Sequence, residues 1–170
     1  MKKMKKAFIL FLCFFLFQIS LYGQAGEVGN VPAKNTSRLP LPAGPSVVGV
    51  FDGRSPCQEM AKQLNEKTIP ECTKIKWRLV LYQDPKTYEP TTYKLEGFVY
   101  RNPPREGKWT VIRGTKNDPM AIVYQLDPDK PDRSIYILKA DDNVLFFMDK
   151  DKNLMVGNND FSYTLNRTGE

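Results

Sequence analysis

Histidine is absent from the 170 residues of this chain, and its absence removes several kinds of chemistry at once. Histidine is the commonest general base, the usual activator of a catalytic serine or cysteine, and the commonest zinc ligand. A Ser-His-Asp or Cys-His enzyme is therefore excluded. The sequence contains no other complete catalytic constellation, so we expect a protein that is not an enzyme.

Internal repeats and heptads are also missing, and the excess of basic residues is unevenly placed. The formal net charge of +6 would suggest a nucleic-acid partner. Four of the 25 basic residues, however, lie within the first six positions, and the rest of the chain has 21 basic against 19 acidic residues. No basic stripe with interleaved aromatic residues remains, so we expect no nucleic-acid binding.

The first 23 residues have the layout of a secretory signal peptide. Four lysines precede an apolar run over 7–17, and small residues follow at Ser20 and Gly23. The run is shorter than the roughly 20 apolar residues of a spanning helix, so no transmembrane segment is expected after cleavage. We predict Gln24 as the mature N-terminus, with an uncleaved anchor as the alternative. Because Leu12 precedes Cys13 where lipoprotein processing requires a small residue, we expect an exported protein without a lipid anchor.

The remaining chain predicts one all-β domain. Residues 24–45 are rich in Gly, Pro, Ala, Ser and Asn and indicate a flexible tether, whereas 46–167 has the period of two that is typical of half-buried strands. Eight short strands favour an antiparallel meander that closes into an up-and-down barrel, with a sandwich as the alternative. The predicted strands are Val47–Phe51, the segment around 74–81, Thr92–Arg101, Lys108–Arg113, Met120–Leu126, Ser134–Ala140, Val144–Met148 and Phe161–Asn166.

One short helix is predicted after the first strand. Ser55 is placed as its N-cap, Pro56 as its first residue and Gln58 at the third position, which together form a capping-box pattern. The apolar face, made by Met60, Ala61 and Leu64, predicts a helix that ends near residue 67 and lies across one end of the barrel.

Three short motifs resemble the N-terminal domain of the NlpE-type lipoproteins. They are Gly53-Arg54-Ser55-Pro56-Cys57 after the first strand, Gly107-Lys108-Trp109, and the turn 149–153 followed by Phe161-Ser162-Tyr163-Thr164-Leu165. The resemblance implies a lipocalin-like barrel and a role in copper resistance or in the envelope stress response. In a bacterium it implies a periplasmic, extracellular or outer-membrane-associated protein that binds or senses a ligand or partner. This chain departs from the family in two ways, because Met60 stands where the second cysteine of C-x-x-C is expected and no cysteine suits lipid attachment.

Cys57 and Cys72 are the two cysteines that remain after the predicted cleavage. An even number of cysteines in an exported domain favours a disulfide, which would join the short helix to the start of the following strand. The alternative is a copper site, because two thiolates and the thioether of Met60 would suit Cu(I).

The interior of the predicted barrel provides a third possibility. Barrels of eight strands can hold one small apolar ligand, and five aromatic residues are candidates to line such a cavity: Trp77, Tyr93, Trp109, Phe146 and Phe161. The simpler interpretation is that they form a filled core, in which case the barrel serves a structural or protein-interaction role with an envelope protein as partner. Five carboxylates are predicted to lie in solvated turns: Asp127, Asp129, Asp132, Asp141 and Asp142.

Overall fold

A computed structural model of the protein describes residues 41–97 and 103–168. The chain divides into two units, Met1–Leu39 and Pro40–Glu170, and the first lies outside the described residues. The predicted signal peptide and residues 24–40 of the predicted tether therefore also lie outside them. Within the part that the structure describes, no helix has the length and apolar character needed to cross a membrane.

The described chain forms a closed eight-stranded antiparallel barrel with one short helix after the first strand, as the sequence predicts. Each strand pairs with the next, and the last strand returns to the first at Phe51–Gly53, so the alternative of a sandwich was wrong. The elements are β1 (Val47–Pro56), α1 (Cys57–Gln63), β2 (Lys74–Gln83), β3 (Pro90–Glu96), β4 (Arg105–Arg113), β5 (Ile122–Leu126), β6 (Ile135–Lys139), β7 (Val144–Met148) and β8 (Thr164–Arg167).

The two ends of the barrel are built from different connections. The arm end, where β1 begins, carries the segment 41–46 and the loops 84–89, 114–121 and 140–143. The helix end, where β1 finishes, carries α1 and the connections 127–134 and 149–163. All of the short hairpin loops between β2 and β3, β4 and β5, and β6 and β7 therefore lie at the arm end.

Alternation along the strands places the apolar side chains inside the barrel. On β2, Ile75, Trp77, Leu79 and Leu81 belong to one buried cluster, as their spacing predicts. The other strands contribute to the same cluster, whose members include Phe51, Tyr93, Leu95, Trp109, Tyr124, Leu126, Ile135, Ile137, Leu145, Phe147, Tyr163 and Leu165. The core is therefore continuous from strand to strand around the barrel.

The helix begins at Cys57, one residue later than predicted. Ser55 and Pro56 are the last residues of β1, where they pair with β2, and the helix start has no side-chain cap. Ser55 is completely buried and its hydroxyl accepts a hydrogen bond from Trp77 Nε1 at 2.8 Å. The capping-box prediction was wrong because strand pairing and the indole occupy this serine. The predicted apolar face was right: Met60 and Ala61 are buried, and Leu64 packs against the core.

Candidate functional site

A disulfide joins the start of the helix to the segment that precedes β2. Cys57 and Cys72 are bonded, with their Cα atoms 5.7 Å apart, as the cysteine count predicts. The Cys57 amide also donates to the Thr73 carbonyl at 3.2 Å. Two successive elements of the helix end are therefore linked by a covalent bond and by a backbone hydrogen bond.

The side chain of Gln58 organises the loop that the disulfide closes. Its amide nitrogen donates to the carbonyls of Ile69 at 2.8 Å, Pro70 at 3.2 Å and Cys72 at 3.0 Å. The capping-box pattern had given this glutamine a role within the helix instead. The sequence offers no signal for the observed role, because it depends on carbonyls 11 to 14 residues away.

The helix is also fastened, through Tyr163, to the strand that flanks β1 on the side opposite β2. The Tyr163 hydroxyl donates to Glu59 Oε2 at 2.8 Å, which connects α1 to the residue preceding β8. Burial raises the pKa of Tyr163 well above its ordinary value, and the hydrogen bond to the Glu59 carboxylate raises it further. The helix is thus anchored at β2 by the disulfide and at β8 by this hydrogen bond.

The three sulfur atoms of the predicted copper site belong to the same end of the barrel. Cys57 and Met60 are both 1% exposed and lie in the buried cluster, whereas Cys72 packs against it. In the disulfide neither cysteine is a thiolate, so this oxidised arrangement does not fit Cu(I). Among residues 41–97 and 103–168 there is also no group of three His, Cys, Asp or Glu side chains that could hold a metal ion.

Three of the five aromatic residues predicted to line a cavity point into the barrel and pack against other core side chains. Trp77 on β2 meets Phe147 on β7 with ring centroids 5.3 Å apart, although β1 and β8 separate these strands around the wall. Trp109 meets Tyr124 edge-on at 5.0 Å. The Trp109 indole also donates to the Tyr82 carbonyl at 2.7 Å. At these levels the interior is occupied by the protein's own aromatic rings.

The other two aromatic predictions require correction. Phe146 lies between Leu145 and Phe147, both of which belong to the interior cluster, so the alternation of β7 places it on the outer face. Phe161 precedes β8, is only half-buried and has the Lys74 ammonium 5.6 Å from its ring centroid. Neither residue belongs to the interior cluster.

A buried ion pair lies at another part of the helix end of the barrel. Arg105 Nη2 lies 2.6 Å from Asp127 Oδ2, and the two side chains are 10% and 4% exposed. The same carboxylate oxygen accepts from the Tyr93 hydroxyl at 3.0 Å, and the guanidinium also donates to the Arg133 carbonyl. Burial raises the pKa of Tyr93, with Arg105 acting in the opposite direction. The prediction of a solvated turn was therefore wrong for Asp127.

The second oxygen of the Asp127 carboxylate has no hydrogen-bond partner among the described residues. Asp127 Oδ1 is buried and accepts no hydrogen bond within the described residues, and it lies against Gly107 of β4. Asp127 follows directly after β5, where its amide donates to the Lys108 carbonyl at 2.8 Å. The sequence indicates Gly107 only as part of a short motif and gives no sign of the role of Arg105. The ion pair of Arg105 and Asp127 could not be predicted from spacing alone, since the two residues are 22 positions apart in the sequence.

The outer surface carries several open grooves. One, of about 390 Å³, lies over β1 and β8 and is lined by Asp52, Gly53, Arg54, Asp160, Phe161, Ser162, Thr164 and Asn166. Another, of about 480 Å³, lies over β3 and β4 and is lined by Tyr82, Thr92, Tyr93, Lys94, Glu106, Gly107 and Lys108. Both mix charged and aromatic side chains, which suits contact with a polar partner more than storage of an apolar molecule.

No protein-family model, curated protein or solved structure matches this chain.

Proposed function

We propose that this chain is an exported, non-enzymatic envelope protein, similar in role to the NlpE N-terminal domain, that recognises its partner on the outside of the barrel. The contact between Trp77 and Phe147 carries the proposal, because it fills the interior where a lipocalin-type ligand would lie. The disulfide between Cys57 and Cys72 supports export, since such bonds persist in oxidising compartments.

The outer groove over β1 and β8 is the favoured place for an envelope protein to bind. Its wall includes Arg54, which is exposed, and Asp160, which is also exposed. The short β8 pairs with β1 at only three positions, so the part of β1 beyond Gly53 has β2 as its only partner in the described sheet. Partner recognition at such a place would combine backbone hydrogen bonds with charged side chains.

Dye uptake separates a filled interior from a ligand-binding one. We expect the purified protein to leave the fluorescence of N-phenyl-1-naphthylamine unchanged. Phe147→Ala removes one ring of the Trp77 contact and should leave a cavity that takes up benzene, so benzene binding by this variant is the positive control for an opened interior. Saturable uptake of one dye per wild-type chain, competed by fatty acids, would overturn the proposal in favour of a small apolar ligand.

Peptide mass spectrometry tests the exported part of the proposal. Protein taken from its native compartment without reduction should begin at Gln24 and yield one cross-linked peptide pair containing Cys57 and Cys72. A chain that keeps residues 1–23, or in which both thiols are free, would contradict export followed by signal-peptide cleavage and disulfide formation.

Copper binding is the second candidate, and the closeness of the cysteines and Met60 at the helix end favours it. Reduction of the disulfide would free two thiols beside the thioether, which is a donor set that suits Cu(I). The reduced chain should then bind one Cu(I) in competition with a chelator, the oxidised chain none, and Met60→Leu should weaken binding while preserving the packing. Absence of Cu(I) uptake by the reduced chain would eliminate this candidate.

A further inference from the structure

The ladder between β3 and β4 ends halfway along β4. Its last pair is Thr92 with Lys108, whereas β4 continues to Arg113 and remains paired with β5 along that length. Residues 110–113 therefore have β5 on one side and no paired strand on the other side within the described sheet. The closed barrel thus contains a length of open strand edge, residues 110–113, which we call the β4 edge.

The backbone groups of Val111 and Arg113 point out of the β4 edge. In an antiparallel ladder, successive residues direct their amide and carbonyl groups to opposite neighbours. The Lys108 carbonyl and the Gly114 amide are both hydrogen-bonded to the residues that flank β5, so the even-numbered residues of β4 face β5. The amide and carbonyl groups of Val111 and Arg113 therefore face away from β5, and no described residue pairs with them.

A bulge in the neighbouring hairpin accounts for this opening. The register of β2 and β3 shifts between Leu81 and Gln83, so that Gln83 pairs with Pro90. Next to this pair, the Glu89 carbonyl accepts from the Asp84 amide at 2.8 Å and so faces β2 instead of β4. Because a bulge bends a strand and ends its pairing, β3 turns away from β4 at this point. The opening is therefore built into the fold.

The side chains beside the β4 edge indicate what it would accept. Val111 has the alternation of an interior residue but is 42% exposed, as expected where the wall is open. The groove of about 480 Å³ over β3 and β4 includes both residues of the last pair and the Tyr82 side of β2. Arg113 and Glu89 are both exposed, so charges of both signs flank the edge and select no charged ligand. Recognition would therefore depend on backbone hydrogen bonds and apolar contact.

From these observations we propose that the β4 edge binds an extended, largely uncharged segment of another protein, which adds a short strand beside β4. Such a strand would supply partners for the backbone groups of Val111 and Arg113 and would cover the exposed Val111 side chain. The groove continues the site beyond the edge, which suits a segment longer than the β4 edge of a second copy. The inference does not rest on the groove over β1 and β8, because that groove belongs to other strands.

Amide hydrogen exchange tests whether the edge is open in the isolated chain. After correction for intrinsic rates, the Val111 and Arg113 amides should exchange at least about tenfold faster than those of Thr110 and Ile112, which face β5. All four belong to one strand, so the overall stability of the chain affects them alike. Equal protection of all four would show that the edge is closed and would overturn the proposal.

Binding is tested with a capped pentapeptide of alternating valine and threonine, titrated into isotope-labelled protein. The amide signals of Val111 and Arg113 should shift the most. Val111→Pro removes a donor of the edge but no bond to β5, and should weaken binding at least about tenfold. Val156→Pro, at a position that is 83% exposed and outside the barrel strands, should not. No shift at Val111, or equal binding by the two variants, would overturn the proposal.

A second form of the peptide leaves the protein unchanged, which covers a Val111→Pro variant that fails to fold. Methylation of the peptide amides that would donate to β4 should abolish binding, and binding that survives it would contradict strand addition. Sedimentation equilibrium should show a monomer. A dimer that Val111→Pro dissociates would assign the β4 edge to a second copy of this chain and would overturn the proposal of another protein.

Discussion

Asp127 and Gly107 share a space that only one side chain can occupy: a Cβ atom at position 107 would lie 2.0 Å from Asp127 Oδ1. The glycine on β4 is therefore the reason that the carboxylate following β5 can turn inward. Once inside, the carboxylate meets Arg105 and the Tyr93 hydroxyl. The absence of a side chain at Gly107 thus leaves room for a buried ion pair in this part of the barrel.

Gly107→Ala should therefore lower the free energy of unfolding by about 1–3 kcal/mol, because the carboxylate or the strand must move to admit the methyl group. Denaturant unfolding measures the change. Glu106→Ala is the matched control, since Glu106 is exposed on the same strand and its loss should cost no more than about 0.5 kcal/mol. A Gly107→Ala variant as stable as Glu106→Ala would show that the space is not confined.

The ion pair itself should be far more sensitive to substitution than its counterpart on the outer surface. Arg105→Met leaves the Asp127 carboxylate buried without its cation and should cost about 3–5 kcal/mol. Arg78 forms a similar two-point contact with Asp52, but those side chains are 25% and 31% exposed, so Arg78→Met should cost no more than about 1 kcal/mol. If Arg105→Met and Arg78→Met lowered the free energy of unfolding equally in denaturant, burial would not be what distinguishes the two ion pairs.

The barrel was predictable from the sequence, whereas the ion pair was not, and the difference has a physical cause. Alternation such as that of Ile75, Trp77 and Leu79 is a local property that survives in the folded sheet. Asp127, in contrast, follows a strand and precedes a proline, a context that usually indicates a solvated turn. Its burial depends on Gly107 and Arg105, which belong to another strand. Phe146 was misplaced because the apolar run of β7 hides which residues face inward.

The disulfide should contribute substantially to stability because it closes a loop in the unfolded chain. Its cysteines are 15 residues apart, and a loop of this length is worth about 3 kcal/mol. Replacing both Cys57 and Cys72 by Ala should lower the unfolding free energy by about that amount. Adding a reductant should lower the stability of the wild type but not that of the double variant. A reductant effect on both proteins would show that the reagent acts elsewhere.

Stability should fall at alkaline pH because the pKa values of three buried tyrosines are raised. Burial is the main cause for Tyr93, Tyr124 and Tyr163. Below about pH 10 each is protonated in both states, and above it the unfolded chain loses the proton first, so the folded state loses up to about 1.4 kcal/mol per pH unit for each tyrosine. Tyr163→Phe should make this decline less steep when unfolding is followed between pH 9 and 11. An unchanged slope would remove Tyr163 as a contributor.

Tyr88 has a left-handed backbone conformation that a smaller residue should tolerate better. Its φ is +60°, its side chain is 67% exposed and its amide donates to the Asp84 carbonyl at 2.9 Å. Asn adopts this region at less cost than a bulky residue does, so Tyr88→Asn should raise the free energy of unfolding by up to about 1 kcal/mol in denaturant. Lys152 also has φ +60°, but its ammonium lies 5.8 Å from the Tyr136 ring centroid, so Lys152→Asn should gain less. A Tyr88→Asn variant that lost stability would mean that the tyrosine ring makes stabilising contacts within the protein.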